Sequence, residues 1–149
     1  MKPALRHLLE CVTGTPSAEA QAWAAEALAK VWRDGDALGV WRCIGVGTRQ
    51  KALDAIRNDL MRQAAEHLDG GITQRAEQLA RLCRDMEGRL WPLWCDEAEA
   101  PARAGPALGL LFRAKHLGAT LPAGVRTVFD ILTADAAIDP NNRTKWQVR

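Results

Sequence analysis

Between Gly71 and Asp96 the apolar residues fall at Ile72, Ala76, Leu79, Cys83, Met86, Leu90 and Leu93, in steps that alternate four and three. That spacing keeps one face of an α-helix apolar from end to end. A helix of roughly 20 residues is about 30 Å long, the width of a small domain. The segment is therefore expected to be the rod on which other helices pack. Thr73 stands where it can cap the start, after the Gly70-Gly71 break. Near the far end, Pro92 has no amide hydrogen and its ring meets the carbonyl of Gly88, four residues back. A kink is expected between these two, flanked by Trp91 and Trp94. Two tryptophans at a kink either cover a bent helix end or form a platform for a ligand or base.

The same periodicity recurs along the chain. Residues 3–12 place Leu5, Leu8, Leu9 and Val12 on one face, with His7 and Cys11 one turn apart at its edge. After a turn at Thr13-Gly14-Thr15-Pro16, Ser17 caps a second helix whose face is Trp23, Ala24, Ala27, Leu28 and Val31. Its alanines permit close approach to another helix. Asp34-Gly35-Asp36 is expected to end it, and a short helical turn follows through Leu38, Val40 and Trp41. Gly45-Val46-Gly47-Thr48 reads as an interhelix turn with Thr48 as the next N-cap. It lacks the glycine spacing and the Gly-Lys-Ser/Thr of a phosphate-binding P-loop.

Residues 49–68 carry Leu53, Ile56, Leu60, Ala64, His67 and Leu68 on one face. Lys51, Asp54, Asn58, Asp59, Arg62 and Glu66 lie opposite, a mixture of charge typical of a solvated surface. Only Asp69-Gly70-Gly71-Ile72 joins this helix to the rod, so the two are expected to form an antiparallel hairpin. A polar connector with two prolines covers residues 96–106. Beyond it a helix through Leu108, Leu111, Phe112 and Leu117 breaks at Gly118-Ala119-Thr120, and Pro122 is expected in the first turn of a last helix. Val125, Val128, Phe129 and Leu132 would be its buried face. Periodicity stops after Thr133. The remainder reads as a basic tail over 134–149, with Arg143, Lys145 and Arg149 around Trp146.

β-Branched residues are sparse and no period-two run appears, so the fold class is all-α. The expectation is one helical domain over residues 1–133, a bundle of five to six helices built on the hairpin of about 49–68 and 73–95. A chain of 149 residues is long enough to bury a core without a disulfide or a metal. No run approaches 18 apolar residues, so no membrane span is expected. Lys2-Pro3 leads into an amphipathic helix and not the apolar core of a secretory signal. The four cysteines are widely spaced and read as reduced thiols in a cytoplasmic protein.

Charge narrows the function. Twenty basic residues meet 18 acidic ones, spread evenly, which is a weaker basic excess than duplex-binding domains show. Fifteen of the twenty are arginine, a composition that suits phosphate contacts and that a GC-rich genome also produces. No nucleophile elbow, HExxH or CxxC occurs. His7 and Cys11 are two ligands without a second pair, so neither a metal nor a cofactor is expected.

The favoured reading is a non-catalytic helical subunit or adaptor of a larger assembly, one that handles nucleic acid through arginine contacts to the phosphate backbone of RNA or single-stranded DNA. Six tryptophans and the arginines are residue types enriched at interfaces. Candidate backbone contacts are Lys51, Arg62, Arg113, Lys115, Arg126, Arg143, Lys145 and Arg149. Candidate protein contacts are Trp91, Trp94 and Trp146. A second reading is a DNA-binding regulator with a helix-turn-helix over 110–132. There Ala114 and Gly118 have the expected spacing, but the valine falls one position late, at Val125. A third, ranked last, is a cysteine-dependent enzyme using Cys95 or Cys83.

Overall fold

The computed structural model describes residues 3–43, 45 and 47–134. Every regular element among them is helical, and the fold class is all-α as expected. The helices are α1 (Pro3–Val12), α2 (Ala18–Leu38), α3 (Val40–Cys43), α4 (Arg49–Glu66), α5 (Ile72–Asp85), α6 (Trp91–Trp94), α7 (Gly105–His116) and α8 (Val125–Thr133). A π-helical turn, Met86–Leu90, joins α5 to α6, and a 3-10 turn, Ala102–Ala104, precedes α7. The chain forms two compact units, Met1–Ile56 and Arg57–Arg149, with the boundary inside α4.

In the first unit α1 packs on α2, and α2 on α3. Among its described residues Leu9, Ala20, Ala27, Ala52, Leu53 and Ile56 are buried and apolar. Small side chains at 20 and 27 let α1 approach α2, and the ring of Trp23 lies 6.0 Å from that of His7. Ser17 caps α2 as expected: its hydroxyl accepts from the Ala20 amide at 3.2 Å. The same hydroxyl donates to Glu10 Oε2 at 2.5 Å, and the Ser17 amide donates to that same oxygen at 3.1 Å. Thr48 caps α4 in the same way, accepting from the Lys51 amide at 3.2 Å. One expectation is corrected: α2 does not end at Asp34-Gly35-Asp36 but runs to Leu38. It stops at Gly39, whose φ of 77° is the left-handed conformation that closes helices and that glycine adopts without strain.

In the second unit the later half of α4 and α5 are joined by residues 67–71. Arg62 of α4 and Arg75 of α5 line one cavity, and Arg57 is near enough to Cys83 to influence its thiol. Going backward along α4 thus means going forward along α5, the antiparallel order expected of a hairpin. Leu60, Met61, Ala64, Ala65, Ala76, Leu79, Ala80, Cys83 and Met86 are buried. The N-cap of α5 is Gly71, two positions earlier than the Thr73 expected. Gly71 offers no side chain, but Gln74 reaches back and accepts from its amide at 3.2 Å. α8 packs along α5, with Val128 and Ile131 buried.

The kink expected before Pro92 is realised as the π turn. The Trp91 amide donates to the Met86 carbonyl, five residues back. A wider turn relieves the crowding that Pro92 imposes on the preceding carbonyls. It also adds one residue to the helical count, a phase change of about 100°. The consequence is visible at once. Leu93, the next position of the sequence stripe, is exposed, and Trp94 takes its place with 6% of its surface accessible.

α8 also starts later than expected, at Val125, leaving Pro122 in the segment 117–124. Three side chains hold that segment open. Arg57 donates to the Thr120 carbonyl at 3.2 Å, Arg84 to the Ala123 carbonyl at 2.8 Å, and the Leu121 amide donates to Glu87 at 2.8 Å. Ala119 and Leu121 are buried beneath it. Backbone groups that would otherwise enter a helix find partners in the side chains of α4, α5 and the π turn.

Candidate interaction surface

Glu87 is the organising charge of the second unit. One carboxylate oxygen accepts from Leu121, and the other is 2.7 Å from Lys115 Nζ. The ammonium also sits 5.7 Å from the ring centroid of Trp91, a cation–π distance. Trp91 and Trp94 both contact Phe112, at 5.8 and 6.5 Å between centroids, and Phe112 stacks on His116 at 5.6 Å. The tryptophans at the bend therefore pack on α7. Trp94 is buried and presents no open ring face of the kind a stacked base needs, and Trp91 is half-buried.

The candidate cations divide by environment. Lys51, Arg113 and Arg126 are exposed. Lys115 is committed to Glu87 and Trp91, and Arg62 donates to the Ile131 carbonyl at 3.1 Å. Arg126 pairs with Asp130 at 3.2 Å along α8. Arg143, Lys145, Trp146 and Arg149 lie outside the described residues. The link between α7 and α8 takes eight residues, 117–124, where a helix-turn-helix uses three or four.

An open cavity of about 530 Å³ lies over α7, lined among others by Gln63, His67, Glu99, Phe112, Arg113 and His116. His7 packs against Trp23, and the Cys11 thiol donates to the Ala20 carbonyl at 3.7 Å, so this pair belongs to the α1–α2 contact. No group of three metal-ligating side chains occurs among the described residues. The Cys83 thiol is pushed up to about 12, first by burial and then by the charge of Glu87, with Arg57 and Arg84 opposing. It is protonated at neutral pH and is no nucleophile. Cys95 is exposed, its thiol 4.0 Å from the Pro92 carbonyl.

The most conspicuous surface was not among the sequence candidates. On α2, Trp32 is 91% exposed and Leu28 71% exposed. They continue a row that includes Ala18, Gln21 and Ala25, all exposed. Steps of three and four make it a second stripe, beside the inward one of Ala20, Trp23, Ala24, Ala27 and Val31, of which Ala20 and Ala27 are buried. Leu28 was expected on the buried face and belongs to the open one. The signal lay in the sequence: α2 is apolar over more of its circumference than one contact can cover, and Trp32 fits only the second row.

No protein-family model matches this chain, and no match was found among curated proteins or among solved structures.

Proposed function

We propose that the chain is a non-catalytic helical subunit that joins a larger assembly through the open face of α2. The observation that carries this reading is the pair Leu28 and Trp32, two large apolar side chains one turn apart and turned to solvent. Leaving them there has a cost in hydration that docking removes, and tryptophan is the residue type most enriched among binding hot spots. The row holds no charged residue, as suits the desolvated centre of an interface. Contact with a nucleic-acid backbone is a secondary part of the proposal and draws mainly on Lys51 and Arg113.

The test is the native size of the tagged chain in a lysate of its host, compared with a Leu28→Glu/Trp32→Glu variant. Helical content should be equal in the two, by circular dichroism. The wild type should migrate in a larger complex and the variant should leave it. Equal migration of both removes α2 from the proposal. Retention of the purified chain on RNA or single-stranded DNA, weakened by salt, tests the nucleic-acid part.

A further inference from the structure

The five positions of the open α2 row differ in size in an ordered way. Ala18 and Ala25 are small, Gln21 is polar and slender, and Leu28 and Trp32 are large and lie at the C-terminal end. A second α2 laid antiparallel across a two-fold axis at Ala25 would put Trp32 on Ala18 of the copy. Leu28 would meet Gln21, and Ala25 would meet Ala25. The largest side chain thus meets an alanine at both ends, and the central alanines permit the close approach that such packing needs. In a parallel pairing Trp32 would face Trp32, with a gap between the alanines. The row thus fits itself better antiparallel than parallel and in register, and such self-fit is the property an isologous interface requires.

Building on the docking role proposed for α2, we infer that its occupant is a second copy of this chain, paired antiparallel along Ala18, Gln21, Ala25, Leu28 and Trp32. The open surface of this row is on the order of 500 Å² per copy, or about 1,000 Å² for the pair, at the threshold of specific interfaces. The expected dimer is therefore a weak one that dissociates on dilution. Nothing in the row opposes the pairing by charge, because Glu26, Lys30 and Arg33 lie on other faces and Glu26 and Lys30 already pair at 3.0 Å.

Sedimentation equilibrium of the purified full chain over a concentration series reads this directly. Wild type should pass from monomer to dimer, and Trp32→Ala should weaken the dimer at least tenfold. Orientation is read by oxidative cross-linking located by mass spectrometry. Ala25→Cys should form a 25–25 disulfide, and Gln21→Cys should form no 21–21 disulfide. A wild type that stays monomeric throughout, a dimer indifferent to Trp32→Ala, or a 21–21 cross-link overturns the inference. If the purified wild type is monomeric but the lysate complex is still lost with Leu28→Glu/Trp32→Glu, self-pairing fails and docking to another protein stands. If neither is seen, both readings fail.

Discussion

Glu87 and Lys115 meet at 2.7 Å across the π turn and α7, and the other oxygen of Glu87 holds the Leu121 amide at 2.8 Å. One carboxylate thereby ties the bend, α7 and the segment before α8 together. Both side chains are largely shielded, 30% and 17% exposed, so the pair is screened less than a surface ion pair. Glu87→Gln keeps an oxygen for Leu121 and removes the charge. It should destabilise the protein by about 1–2 kcal/mol, and Glu87→Ala by about 2–4 kcal/mol because Lys115 and Leu121 both lose a partner. Urea unfolding of the three proteins checks the order.

The tryptophans separate by position. Trp94→Ala removes a buried ring in contact with Phe112 and should cost about 3–5 kcal/mol. Trp32→Ala removes an exposed ring and should change monomer stability by no more than about 0.5 kcal/mol. Thermal unfolding at low protein concentration measures both. Equal losses would mean that Trp32 is packed.

Gly70 has a φ of 96°, and a Cβ placed there would collide with the Gln74 amide group that caps α5. Gly70→Ala should therefore destabilise by about 1–2 kcal/mol through backbone strain and a disturbed cap. Gly71→Ala, at φ −73° with open space around the new carbon, should be tolerated much better. Chemical denaturation of the two variants side by side gives the comparison.

Cys83 supplies a pH prediction. Its thiol is raised from 9.0 to about 12 by burial, so folding favours the neutral form. The contribution is complete below the unfolded value and is lost as pH rises towards 12. Over that window stability should fall by about 1.4 kcal/mol per pH unit, and the slope should vanish in Cys83→Ala. Under native conditions at neutral pH a thiol reagent should label Cys95 and spare Cys83. Rapid labelling of Cys83 in the folded protein would contradict its burial.

Glu10 acts at the other end of the scale. The Ser17 hydroxyl, then the Ser17 amide, hold its carboxyl below the ordinary value. A lowered value in the fold means that the stabilisation is present above the unfolded carboxyl range and disappears as pH falls through the folded one. Ser17→Ala should move the Glu10 titration upward, as read by carbon-detected NMR, and should cost more stability at neutral pH than in acid, where the wild type has already lost this contribution. An unmoved titration would mean that the Ser17 hydroxyl is bonded elsewhere.

Much of the architecture was legible from spacing. The buried residues Ala76, Leu79, Cys83 and Met86 follow the four-and-three rhythm, and the short glycine link required α4 and α5 to run opposite ways. The caps at Ser17 and Thr48 followed from side-chain chemistry within one turn. What failed was anything that depended on phase or on distant partners. Pro92 announced a disturbance, but only the π turn determined that Leu93 would face out and Trp94 in. Pro122 is a good first-turn residue for a helix, yet Arg57, Arg84 and Glu87 keep its segment extended from positions 34 to 63 residues away.

The same division holds for the surface that carries the functional proposal. By itself the sequence determined that this chain would be helical, where most helices would begin, and that α2 would be apolar over much of its girth, because these depend on local propensity and a period of 3.6. Which of the two α2 rows is buried depended on α1 and α3, since a helix with two apolar stripes can be covered along either. The tertiary structure chose Ala20 and Ala27 for the inside, where small side chains allow close packing, and left Leu28 and Trp32 facing water.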